Sequence, residues 1–227
     1  MYRRVIVALD VDSLEEAERF IFPEAYVYKV GWRLFAKEGF KALKFLEGRG
    51  KRVFLDLKLG DIPSTVEAAL GEIFKYNPYM TTIHAVSGKE AFLRARQLRE
   101  KMGKDTIILG VTLLTSLSPE DVVAMGMGSV EEGVKALAKV VEEGGGDGVV
   151  CSTQELLLLK DLKLLKVVPG IRLAEKEEDQ KRVATPYEAF QSGADFIVVG
   201  REILRAQDPR RRFIEILMDA GFLDFSH

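Results

Sequence analysis

Short runs of apolar, β-branched residues recur along the chain at 5–9, 26–30, 53–57, 81–84, 107–112, 149–151, 166–168 and 196–199. Between most of them apolar residues return every three or four positions, at 14–21, 34–46, 65–74, 91–101, 130–141 and 186–191, and a last such stretch covers 209–218. The first pattern predicts strands and the second predicts helices with one buried face. The strand runs are apolar almost throughout, so both of their faces should be covered, as in a parallel sheet flanked by helices. Eight strand–helix units at an average spacing of about 28 residues fit a closed α/β barrel of the (β/α)8, or TIM, type. An open doubly wound sheet fits the same alternation, because a count of strands does not establish closure. No proline- or serine-rich linker or low-complexity tract interrupts the pattern, so residues 1–227 are read as a single barrel domain. The least apolar long connections, 117–129 and 172–184, are predicted to be loops. The second follows a strand ending in Val168-Pro169-Gly170, which puts it at the carboxyl-end face, as a lid or as a charged surface loop.

The third strand breaks the apolar pattern. In the segment 51–65, KRVFLDLKLGDIPST, Val53, Leu55 and Leu57 alternate with Phe54, Asp56 and Lys58. Period-two alternation predicts that Asp56 and Lys58 share a face, roughly 6 to 7 Å apart. Gly60 and Pro63 end the strand, Asp61 lies in the turn, and Pro63 suits a first helical position because its missing N–H would be unpaired there anyway. A D-x-K-x-x-D spacing arises by chance in about one chain in twenty of this length. By itself, then, it reads equally well as a solvated charge cluster.

Composition narrows the options. With 47% hydrophobic and 30% charged residues the chain has ample material for a core. A formal net charge of -2 provides no general field for nucleic acid or an anionic membrane, so any anionic ligand must be met by local groups. Cys151 lies in the apolar run Val149-Val150-Cys151 and reads as a buried thiol. Met1 leads into a strand-like run, and no apolar stretch approaches the roughly 18 residues of a membrane span, so a cytoplasmic protein is expected. One cysteine and two histidines make no zinc set. Asp10, Asp56 and Asp61 would suit Mg²⁺, but Lys29 and Lys58 sit among them and already neutralise the charge. There is no Walker loop and no G-x-G-x-x-G fingerprint.

In a parallel barrel the carboxyl ends of the strands gather where active sites are built. This chain puts there Asp10, Lys29, Asp56, Lys58, His84, Thr112, Thr115, the segment 169–172, and Gly200-Arg201. Asp10 reads either as a functional acid or as a helix cap, a task better suited to Asp12 and Ser13; His84 reads as structural. Gly200-Arg201 after the eighth strand suggests a phosphorylated small molecule, since barrels commonly hold phosphate there and arginine adds a planar fork.

These residues also carry a resemblance. DLKLGDIPST, beginning at Asp56, resembles the signature of the orotidine 5′-phosphate decarboxylase family. The agreement continues in order through ALD ending at Asp10, YKVG ending at Gly31, VTLLTS ending at Ser116, DGVVCS ending at Ser152, VPGIR ending at Arg172, DQKRVATP ending at Pro186 and VVGR ending at Arg201. It implies a metal- and cofactor-free carboxy-lyase that converts orotidine 5′-monophosphate to UMP and carbon dioxide. On that resemblance Lys29, Asp56, Lys58 and Asp61 form an alternating charge tetrad, with Lys58 protonating carbon 6 and Asp56 beside the departing carboxylate. Asp10 and Lys29 would hold the ribose hydroxyls, Thr115 the base, and Arg172, Gly200 and Arg201 the phosphate, while Gln180 would bridge base and phosphate. Asp61, Ile62 and Thr65 would reach the partner's site in a homodimer. Gly60 and Ser64 depart from residues common in the family, which bears on turn geometry only. The alternatives are a Mg²⁺-dependent sugar-phosphate decarboxylase or aldolase of the same superfamily, and a catalytically silent phosphate-binding protein. The former calls for an acid where this chain has Lys29.

Overall fold

The structure, a computed structural model, describes residues 2–173 and 184–223. Eight parallel strands pair in sequence order as a closed barrel. In chain order the elements are β1 (Val5–Ala8), α1 (Leu14–Glu18), β2 (Val27–Gly31), α2 (Trp32–Glu38), α3 (Lys41–Glu47), β3 (Arg52–Leu59), α4 (Pro63–Phe74), β4 (Met80–His84) and α5 (Lys89–Lys101). They continue as β5 (Ile107–Val111), α6 (Pro119–Ala124), α7 (Val130–Gly144), β6 (Gly148–Val150), β7 (Leu165–Pro169), α8 (Pro186–Gln191), β8 (Phe196–Val199), α9 (Arg201–Leu204) and α10 (Pro209–Asp219). The expected two-sided burial is present: all of β1 is buried, as are Val53 to Leu57 of β3. Among the described residues no helix is long and apolar enough to cross a membrane.

The chain forms two compact units. One comprises Met1–Asp56 with Val168–His227. In it β1 pairs with β2, Ile6 level with Val27, and with β8, Val5 level with Ile197. The Arg4 guanidinium donates to the Asp195 and Ala194 carbonyl oxygens at 2.7 Å each and lies over the Phe190 ring, tying the start of β1 to the segment entering β8. Tyr28 is fully buried, and its phenol oxygen accepts the Phe22 N–H at 2.8 Å.

The other unit, Leu57–Val167, is continuous in sequence. Its β4 and β5 run level from Met80 and Ile107 to His84 and Val111. A Cβ at Gly110 on β5 would come within 2.1 Å of Val141 on α7, so only glycine allows so close an approach of helix to sheet. Asp147 pairs with Arg99 and accepts the Ile108 N–H at 2.7 Å, satisfying a polar group at the entry to the sheet.

Three elements differ from the sequence pattern. The single helix predicted over 34–46 is two, α2 and α3, because Gly39 takes a positive φ of 55° and its N–H closes on the Phe35 carbonyl. The apolar period survives that break, which is why the pattern hides it. The connection 117–129 is not loop throughout: Pro119 starts α6, and Ser118 and Asp121 cap it reciprocally at 2.9 and 3.2 Å. The sequence S-P-E-D carries that signal where apolar content does not. The helix predicted over 14–21 stops at Glu18. Most of the proposed lid at 172–184 lies outside the described residues.

Candidate active site

In the unit that contains both ends of the chain, β1, β2 and β3 bring three charges into a row. The Lys29 ammonium nitrogen lies 3.2 Å from Asp10 Oδ1 and 3.7 Å from Asp56 Oδ2. Lys29 is only 14% exposed and Asp56 10%, so each ion needs an opposite charge to offset its lost hydration. Asp10 is the open member, at 45%. Two glycines make room for the row. A Cβ at Gly31 would stand 3.1 Å from Lys29 Nζ, and one at Gly200 would stand 3.4 Å from Asp10 Oδ2. Asp10, Lys29 and Asp56 thus lie in one row, with Gly200 beside Asp10. The ammonium fills the place between the two carboxylates that a bound cation would take. Among the described residues no group of three or more histidine, cysteine, aspartate or glutamate side chains is arranged to hold a metal. In the same unit Arg172 is half-buried just past β7, its N–H donating to the Ala184 carbonyl at 3.2 Å, and Arg201 is exposed as the first residue of α9. Gln180 lies outside the described residues.

In the continuous unit the site residues follow the end of β3. Lys58 adopts φ +47°, one of two positive-φ non-glycine residues among those described. This corrects the alternation argument: a residue in the left-handed region does not continue the pleat, so period two does not fix where its side chain points. Such a conformation costs roughly 1–3 kcal/mol and persists only where surroundings hold it. Here the Lys58 N–H donates to Thr82 Oγ1 of β4 at 2.8 Å, and Thr82 is fully buried.

A cleft of about 420 Å³ opens beside Lys58. Asp61, His84 and Ser87 supply its other polar walls, while Ile62, Pro63 and Val86 supply apolar ones. The turn is built as the sequence predicts, with Pro63 first in α4 and Ile62 preceding it. Asp61 Oδ1 accepts the Ile62 N–H at 2.7 Å, and the Asp61 N–H reaches Ser87 Oγ at 3.3 Å, which orients the acid although it is exposed. Ile62 and Val86 are 65% and 63% exposed, unusual for apolar side chains lining one cleft. Thr65 is exposed in the first turn of α4, and Thr115 is exposed in the turn after β5; neither lines the cleft.

His84, which the sequence alone reads as structural, is a wall of this cleft. Burial and then the nearby Lys58 charge lower its pKa, and its Nδ1 has no hydrogen-bond partner among the described residues. A histidine closing a strand at the carboxyl end was the available signal. The unfolded chain, at an ordinary value of about 6.5, binds the proton more readily than the folded one. Stability from this group is therefore fully present above about pH 6.5 and is lost as pH falls. In thermal melts taken from neutral pH downward, His84→Gln is expected to show a shallower fall in Tm than the parent chain. Equal slopes would remove His84 from the acid response.

The chain is similar to known proteins over nearly its whole length. The sequence profile of the family described as "Orotidine 5′-phosphate decarboxylase / HUMPS family" matches residues 3–216. The orotidine 5′-phosphate decarboxylase of Carboxydothermus hydrogenoformans is 43% identical over 222 residues, covering 92% of each chain. That of Aliivibrio salmonicida is 41% identical over 216 residues, 91% of this chain and 92% of its own. The crystal structure of orotidine 5′-phosphate decarboxylase from Lactobacillus acidophilus superposes with a TM-score of 0.83 at 34% identity, covering 96% of this chain and 99% of that one. By sequence over nearly its whole length, and by barrel topology, this chain belongs to the orotidine 5′-phosphate decarboxylase / HUMPS family.

Proposed function

We propose that Lys58 delivers the proton to carbon 6 of the pyrimidine as this carboxy-lyase converts orotidine 5′-monophosphate to UMP and carbon dioxide, in pyrimidine biosynthesis. The observation that carries the reading is the backbone of Lys58. A lysine is kept at positive φ at the end of β3, beside a cleft, in a chain whose relatives at about 40% identity bear the decarboxylase name. In the reaction the bond between carbon 6 and the carboxylate breaks, its electron pair stays on carbon 6, and carbon dioxide leaves. The Lys58 ammonium donates a proton to that pair and is left as a neutral amine, which solvent recharges.

Charge alone does not meet the demand. Two unit charges 4 Å apart at an effective dielectric of 20 gain about 4 kcal/mol. Enzymes lower barriers by roughly 8 to 23 kcal/mol. Binding energy from the distant phosphate must therefore hold the ring against charges already in place. Arg172, Gly200 and Arg201 take the phosphate, Thr115 the base, and Gln180 bridges the two. Asp10 and Lys29 take the ribose hydroxyls; the open carboxylate of Asp10, with Lys29 braced behind it, supports that role. Asp56 stands next to the leaving carboxylate, and Lys29, Asp56, Lys58 and Asp61 act as one array.

The working form is a cytoplasmic homodimer whose whole chain, 1–227, serves as one catalytic domain. Asp61, Ile62 and Thr65 reach the second copy's site, and the exposed apolar rim of Ile62 and Val86 supports cover by such a copy. No metal or cofactor takes part, a reading supported by Lys29 standing between the two carboxylates. Loss of orotidine 5′-monophosphate absorbance in the ultraviolet is expected to proceed at the same rate with and without EDTA. Inactivation by the chelator, reversed by Mg²⁺, would favour the metal-dependent sugar-phosphate chemistry instead.

A further inference from the structure

We infer that Thr82 is a positioning residue for proton transfer: its buried hydroxyl holds the backbone of Lys58 in the left-handed conformation that aims the ammonium. The inference rests on Lys58 being the proton donor. In a parallel ladder the N–H of a strand residue bonds to a carbonyl of the neighbouring strand. At Lys58 that donor instead meets a side chain, Thr82 Oγ1, at 2.8 Å. The bond is informative because it anchors the Lys58 amide, and φ +47° is the rotation that sets where Cβ and the following backbone stand relative to that amide.

Packing alone does not call for threonine here. Thr82 is 0% exposed and level with Leu109 of β5, in a strand whose next residue is Ile83. A valine would fill the same volume without burying an oxygen, and a buried oxygen is unfavourable unless it is hydrogen-bonded. Thr82 also shares a face of β4 with His84, two residues on, and His84 lines the cleft with Lys58. Thr82 thus stands directly behind the wall from which Lys58 acts.

Loss of the acceptor removes an interaction that holds Lys58 in a conformation that lysine disfavours. Relaxation to negative φ redirects its Cβ, and a misplacement of about 1 Å at a reacting group lowers rate by up to about a hundredfold. Thr82→Val, which removes the oxygen at nearly constant volume, is expected to lower kcat at least about tenfold, equivalent to about 1.4 kcal/mol of activation free energy. KM and the affinity for UMP should change by less than about threefold, because the lost interaction serves the transition state and not nucleotide binding. Thr82→Ser keeps the acceptor and is expected to recover kcat to within about threefold of the parent. If Thr82→Val does not yield folded protein, Thr82→Ala, checked by circular dichroism and melting, makes the same comparison. In a Lys58→Ala background the Thr82→Val change should cause no further loss, since both act through one group.

A Thr82→Val enzyme with parental kcat, alongside an inactive Lys58→Ala, would overturn the role of Thr82 and leave that of Lys58 standing. Turnover surviving in Lys58→Ala would overturn the donor assignment itself. A serine variant as slow as valine would show that the methyl group, and so packing, is what matters, and would also overturn the inference.

Discussion

Lys58→Ala is expected to lower kcat/KM by about 10⁴-fold or more while leaving UMP affinity within about tenfold of the parent chain. Two losses coincide in that variant. A positioned proton donor contributes about 10²–10⁴-fold, and a charge placed in advance beside the developing electron pair contributes about 10²–10³-fold more. Product binding is spared because the phosphate and ribose contacts assigned to Arg172, Arg201, Asp10 and Lys29 are untouched, and UMP carries no carboxylate on carbon 6. Steady-state ultraviolet assays with a parallel UMP titration read both quantities. A variant that keeps more than a tenth of the parental kcat would end the case for Lys58 as donor.

Asp61→Ala is expected to lower activity by about 10²–10³-fold, and its partial repair by mixing is the more telling result. In a two-fold dimer with sites shared across the interface, a Lys58→Ala subunit still lends Asp61 to its partner. An Asp61→Ala subunit still carries Lys58. The hybrid of the two holds one intact site and one doubly defective site. Random reassociation of equal amounts makes half of the dimers hybrid, so up to about a quarter of parental activity should return. Activity no greater than the sum of the two separate variants would place Asp61 and Lys58 in the same subunit's site or remove Asp61 from the reaction. The geometry of Asp61 favours an outward role. Its carboxylate is exposed, yet its own Ile62 N–H and the contact with Ser87 orient it.

Much of this was legible in the chain because the barrel writes itself as period. Strands buried on both faces give unbroken apolar runs, and the helices between them give a 3.6-residue rhythm. The acid–amine–acid row was legible for a related reason: a charge inside an apolar strand is costly, so Lys29 and Asp56 advertise partners. What escaped depended on single backbone angles. Gly39 divides α2 from α3 without disturbing the apolar rhythm, and α6 begins at a cap and not at an apolar repeat. Lys58 escaped more consequentially. Period-two reasoning assumes an extended residue, and nothing in the letters D-L-K-L says that the lysine has positive φ. The site of His84 escaped because a lone histidine has no pattern; only the turn carrying Asp61 and Ile62 makes it a wall.

The pairing of β1 with β8 has a consequence for how the molecule is made. On the ribosome the first strand emerges about 190 residues before Ile197, the residue of β8 that lies level with Val5. Synthesis at about 5–20 residues per second leaves that edge of β1 unsatisfied for roughly ten seconds or longer. Meanwhile the stretch Leu57–Val167, unbroken in sequence, can organise itself without waiting. The unit that holds both ends cannot close before Ala194 and Asp195 have emerged, and Arg4, reaching across to their carbonyls, is a clasp that cannot fasten earlier.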